Sequence, residues 1–132
     1  MVLQTFFLVM VLNPKVVEKA QEELDRVIGK DRLPDFSDRV NLPYIDAVVK
    51  ETLRWNPPGP VGLPSRVIKD DVYRGYFIPA GATIMQNIWA VCRDPSAYPD
   101  PETFNPDRFL KDGKINPQVF NPEDRIFGTG RR

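Results

Sequence analysis

The sequence predicts an α+β chain: three helices, then short antiparallel strands, then a proline-rich meander. Three observations carry this. Hydrophobic residues make up 42% and charged residues 27% of 132 residues, a globular balance that excludes a disordered chain. Proline is unevenly placed, with three of 14 before residue 57 and eleven from Pro57 onward, so long helices are confined to the first half. Apolar residues in the first half recur at helical spacing, whereas those in the second half occur in runs of two or three.

The first helix is expected over Met1–Leu12, an almost wholly apolar run. It is far shorter than the ~20 residues of a spanning helix and lacks a charged leader and a small-residue cleavage site. A helix buried on all sides is the expectation, in a protein larger than this chain. Asn13-Pro14 punctuates the run, with Asn13 expected as N-cap and Pro14 as the first residue of the second helix. That helix carries Val17, Ala20, Leu24, Val27 and Ile28 on one stripe, pairs Glu22 with Arg26, and ends at Gly29. Lys30 to Leu42 reads as a surface loop with one short turn, and Pro43 opens a third helix through Trp55.

Beyond Asn56-Pro57-Pro58-Gly59-Pro60, short strands are expected at 66–68, 72–73, 76–78 and 83–85, and a short helix over 87–93. The remainder, with a proline every five to ten residues, reads as an ordered meander outside the core. Neither an internal repeat nor a domain boundary is visible, so residues 1–132 read as one partial domain.

Charge and composition exclude several functions. Eighteen basic and 18 acidic residues balance, so nothing drives nucleic-acid binding. The absence of histidine removes the commonest general base and zinc ligand, and the single cysteine, Cys92, forbids an internal disulfide. Cys92 reads as a small buried hydrophobe.

Three motifs carry chemistry. Glu51-Thr52-Leu53-Arg54 sets two charges on one helical face, where Tyr44, Ala47, Val48 and Trp55 surround Glu51 with apolar neighbours. A carboxylate there needs a partner. The same spacing at Glu23-Leu24-Asp25-Arg26 reads as a solvated surface pair, so spacing alone is weak. Asn105-Pro106-Asp107-Arg108-Phe109 is a proline-stiffened loop presenting an arginine. Phe127-Gly128-Thr129-Gly130-Arg131-Arg132 combines glycines that permit close backbone approach with guanidiniums suited to carboxylate or phosphate. A nucleotide loop is the rival reading of this last motif, but no strand precedes it and no helix follows.

In this order the motifs resemble the C-terminal part of a cytochrome P450, the haem-thiolate monooxygenases, most like fungal microsomal members. The match runs from Leu3-Gln4-Thr5-Phe6-Phe7, through Asn41-Leu42-Pro43-Tyr44, Glu51-x-x-Arg54, Arg66-Val67 and Tyr76-Phe77-Ile78-Pro79-Ala80-Gly81. It then takes in Pro106-x-Arg108-Phe109 and Phe127-Gly128-x-Gly130-x-Arg132. The resemblance implies an α+β fragment of a mainly α fold, from the end of the oxygen-side helix to the start of the haem-binding loop. It implies a structural ion network of Glu51, Arg54 and Arg108. It also implies haem contacts from Arg66 and Arg132 to propionates, from Phe127 as the aromatic shielding the thiolate, and from the loop glycines Gly128 and Gly130. Ser65 stands where many members place a histidine. The iron-ligating cysteine of the family pattern falls two residues beyond the position of Arg132. The resemblance therefore implies a chain inactive alone, with no catalytic residue of its own. For the full-length relative it implies haem, NADPH-cytochrome reductase, a small apolar substrate and the endoplasmic reticulum membrane. A non-catalytic remnant or interaction module is the alternative. For the isolated chain, Met1–Leu12, Trp55 and Phe127 are expected to lie exposed.

Overall fold

The computed structural model describes residues 1–128. Helix α1 (Val2–Leu12) buries Thr5 and Val9 on one side and exposes Leu3, Phe7 and Val11 on the other. Within this chain one face of α1 packs and the opposite face is open, in line with the exposure expected for the isolated chain. Asn13 holds the N-cap position of α2 as expected, but its side chain makes no cap bond; instead Nδ2 donates to the Val9 carbonyl at 2.8 Å and closes α1 from behind. Helix α2 (Pro14–Val27) starts on its proline, which needs no N–H partner in the first turn. It ends at Ile28, beyond which Gly29 takes φ 75° and donates to the Asp25 carbonyl.

The loop after α2 contains a 3-10 turn, Phe36–Asn41. Asp35 accepts from the Ser37 amide, and Asp38 accepts from the Asp35 amide at 2.8 Å, so the two carboxylates cap the turn reciprocally. Arg32 forks onto Asp38 at 2.6 and 2.7 Å. That guanidinium is the main reason the Asp38 carboxyl is held at about 2.

Helix α3 (Pro43–Trp55) is the spine. Its Tyr44 and Val48 pack with Ala20 of α2, while Ala47, one residue round, packs with Tyr98 and Phe109. Two core clusters therefore meet on opposite flanks of one helix. Tyr98 and Phe109 come from the proline-rich region, so the meander is not outside the core, as its proline content suggests, but supplies one half of it. Proline excludes long helices; it does not exclude burial.

The strand pairs are small. Strand β1 (Ser65–Arg66) runs antiparallel to β4 (Thr83–Ile84), and β2 (Asp71–Tyr73) forms a hairpin with β3 (Tyr76–Ile78). A third pair, β5 (Leu110–Lys111) with β6 (Lys114–Ile115), is absent from the sequence expectation. Its turn, Asp112-Gly113 with both φ positive, is a strong hairpin signal hidden by the surrounding prolines. Helices α4 (Ile88–Val91) and α5 (Glu123–Ile126) are single turns, and Pro106–Phe109 forms a 3-10 turn where the sequence suggests a loop. Trp55 also departs from expectation: it is half-buried, its indole donates to the Glu102 carbonyl at 2.9 Å, and its ring meets Phe104 edge-on. Phe127 is 71% exposed, in line with the expectation for it. Among the described residues no helix is long and apolar enough to cross a membrane.

Candidate functional site

Glu51 and Arg54 lie on one face of α3, and both are completely buried. Arg54 grips the carboxylate with two parallel bonds, Nε to Oε2 at 2.7 Å and Nη2 to Oε1 at 2.9 Å. The third partner comes from 57 residues further on: Arg108 Nε donates to Glu51 Oε1 at 3.1 Å. The Asn105 amide donates to the same oxygen at 2.8 Å. One carboxylate therefore accepts four hydrogen bonds and sits between two guanidiniums.

The surplus positive charge is absorbed by backbone oxygens. Arg54 Nη1 donates to the Cys92 carbonyl at 2.8 Å, and Arg108 Nη1 to the Pro99 carbonyl at 2.7 Å. Arg108 Nη2 reaches the carbonyls of Asp100 and Thr103 at 3.0 and 3.1 Å. Asp100 lies between two prolines at φ 50°, a conformation unfavourable for a side-chain-bearing residue. The Arg108 fork holds that turn. The Arg54 guanidinium also lies 5.4 Å from the Tyr98 ring centre, joining the ion network to the core. Such an arrangement moves no proton; it fixes the meander against α3. Its backbone acceptors carry no side-chain signature, which is why the sequence discloses only three members.

The solvated reading of the Glu23–Arg26 pair is also corrected. Glu23 is 7% exposed rather than solvated, and its two oxygens accept from the Tyr44 and Ile45 amides at 3.1 and 2.9 Å. These amides open α3, where Pro43 has no N–H and Leu42 has no capping side chain. A carboxylate at a helix N-terminus is favoured both by these donors and by the helix dipole. Arg26, with a side chain 71% exposed, lies 3.8 Å from Glu23 rather than pairing with Glu22.

Cys92 is 1% exposed, and burial pushes its thiol upward, away from the reactive thiolate. The remaining predicted residues gather elsewhere. A cleft of about 510 Å³ is lined by Arg66, Ile84, Ile88, Arg125, Phe127 and Gly128, among others. Strand β1 delivers Arg66, whose Nη2 would lie 3.4 Å from a Cβ at Gly81, an ordinary contact. Gly81 also has φ +87°, which a larger residue would resist. No ion pair or hydrogen bond engages the Arg66 guanidinium among the described residues. Gly130 and Arg132 lie outside the described residues.

The family model for cytochrome P450 matches residues 1–132. The chain belongs to the cytochrome P450 family. It is 50% identical over 129 residues to cytochrome P450 monooxygenase COX2 of Coprinopsis cinerea, covering 98% of this chain and 24% of that protein. It is 53% identical over 131 residues to cytochrome P450 monooxygenase claR of Ampulloclitocybe clavipes, with the same two coverages. Cytochrome P450 monooxygenase 69 of Postia placenta is 49% identical over 133 residues, 97% of this chain and 24% of that protein. The P450 chain described here thus spans about a quarter of the length of these fungal relatives.

A haem presents two carboxylates on the edge of a broad apolar ring. The cleft suits that edge: Arg66 offers a guanidinium fork that no described residue engages, and Ile84, Ile88 and Phe127 offer apolar walls. Among the described residues it brings no thiolate to the iron: Cys92 is buried beside Arg54 and does not line the cleft.

Proposed function

We propose that this chain forms the part of a P450 monooxygenase that holds the haem carboxylates and braces the haem-side loop, and that alone it carries no monooxygenase reaction. The observation that carries this reading is the cleft lined by Arg66, Phe127 and Gly128, where no described residue engages the Arg66 guanidinium. Arg66, and Arg132 from the end of the chain, would pair with propionates; Phe127, Gly128 and Gly130 would line the approach to the iron's thiolate side. Bound haem supplies oxygen activation, by which one oxygen atom is inserted into a small apolar substrate. In the whole protein the electrons would come from NADPH-cytochrome reductase, at the endoplasmic reticulum membrane.

The test uses two titrations. Protoporphyrin IX should bind the chain, and Arg66→Ala or esterification of both propionates should weaken that binding several-fold. Haemin, reduced and exposed to carbon monoxide, should give no thiolate-type Soret shift. A thiolate-type shift would make Cys92 an iron ligand and overturn the second half of the reading. Porphyrin affinity indifferent to Arg66 and to esterification would overturn the first. A second reading, an interaction module, is favoured by the open face of α1, where Leu3, Phe7, Leu8, Val11 and Leu12 are all exposed.

A further inference from the structure

Lys50 is the residue before Glu51, yet it serves a different part of the molecule. Its side chain is 9% exposed, unusual for lysine, and the partners of its ammonium are none of the members of the Glu51 network. Nζ lies 3.3 Å from Asn121 Oδ1, 3.5 Å from Glu123 Oε2 and 3.7 Å from Asp46 Oδ2. Asp46 is already held by Arg39 at 2.7 Å, so the tether that Lys50 adds runs to Asn121 and Glu123. Those two residues are the entrance to α5.

Among the described residues helix α5 has one other side-chain anchor, Arg125 at 5.3 Å from the Phe120 ring centre. The helix is four residues long, none of them buried, and a single turn is not stable by itself. Asn121 Oδ1 also accepts from the Glu123 amide at 3.4 Å, so one side-chain oxygen joins the lysine to the first turn. The segment before α5 is anchored separately, by the Tyr98 hydroxyl on the Phe120 carbonyl at 2.9 Å and by burial of Pro122. Beyond Pro122 the charge-bearing link to the spine is Lys50. Phe127 and Gly128 follow α5 directly and line the Arg66 cleft.

We infer that Lys50 is a positioning residue: its buried ammonium pins α5 to α3 and so sets where Phe127 and Gly128 meet the cleft. The consequence for porphyrin binding rests on the function proposed above; the pinning itself does not. One α3 dipeptide thereby braces two structures. Glu51 holds the meander, and Lys50 holds the loop that leaves it.

Lys50→Met keeps an unbranched apolar stem and removes the charge. Amide hydrogen exchange on the full chain provides the first readout, at the Arg125, Ile126, Phe127 and Gly128 amides that bond within and after α5. Exchange there should rise by about tenfold while α1 and α2 amides keep their rates. Lys50→Arg should restore the parental pattern. Protoporphyrin IX affinity, the second readout, should fall several-fold in Lys50→Met and be regained in Lys50→Arg. Glu123→Gln, which removes one facing charge at constant volume, should shift both readouts in the same direction by less; it carries the test if Lys50→Met does not fold. Unchanged exchange at α5 in Glu123→Gln and Lys50→Met, or equal acceleration at every protected amide, would overturn the inference. Failure of the parent chain to bind porphyrin would defeat the cleft reading instead, and the exchange pattern would still decide the tether.

Discussion

The chain contains the pattern Glu-x-x-Arg twice, on neighbouring helices, with opposite outcomes for the arginine. In α3 both Glu51 and Arg54 are completely buried, and Arg108 and the Asn105 amide join them. In α2 Glu23 is buried but Arg26 is solvated. The carboxylates are alike in that each accepts hydrogen bonds from a distant segment. They differ in what must be satisfied: a second and third charge at Glu51, two backbone amides at Glu23. Spacing places a pair on one face, but the neighbouring element decides whether it becomes an ion network or a helix cap.

The largest effect that tests this contrast belongs to Glu51. Glu51→Ala would leave two guanidiniums facing each other without a carboxylate, and unfolding in denaturant should show a loss of about 3–5 kcal/mol. That penalty measures the uncompensated charges rather than the net worth of the network. Glu23→Ala comes next. It orphans the Tyr44 and Ile45 amides and should lower stability by about 1–2 kcal/mol, as loss of a helix cap does. A result near zero would return Glu23 to the solvated role that its local sequence suggests. Arg26→Ala should be smaller still, below about 1 kcal/mol, because the guanidinium stays hydrated. The ratio of the two α2 substitutions thus separates cap from ion pair.

The smallest expected effect is local and set by pH. Asp38 is held at about 2 in the folded chain against 3.8 ordinarily, chiefly by the Arg32 fork and the Asp35 amide. A lowered folded value means its contribution is fully present above about 4 and is lost as the pH falls toward 2. Carboxyl resonances followed through that window should show Asp38 titrating late, with the Phe36–Asn41 turn loosening as it protonates. An ordinary midpoint for Asp38 would mean that the fork is open in solution.

Local chemistry made much of the fold readable. Pro14 and Pro43 start α2 and α3 because a missing N–H costs nothing in a first turn, and Gly29 ends α2 because its left-handed φ suits glycine. The four strands up to Ile84 follow from short β-branched and aromatic runs between turn residues. The Asp112-Gly113 hairpin carries a comparable signal, set among prolines that favour irregular loop. Asn13 stood at a boundary that two helices share, and local sequence could not say which of them its amide would serve.

The sequence by itself determined the helix starts, the turn glycines, the balance of charge and the placing of Glu51 beside Arg54. All depend on residues a few positions apart, or on composition alone. Only the tertiary structure decided that Arg108 reaches Glu51, that Glu23 caps a helix it does not belong to, that Lys50 pins α5, and that the meander is core. Each of these joins groups more than twenty residues apart, and several use backbone amides or carbonyls that every residue possesses. Hydrogen-bonding demand is written at each position; the partner that meets it is chosen by which segments packing brings within reach.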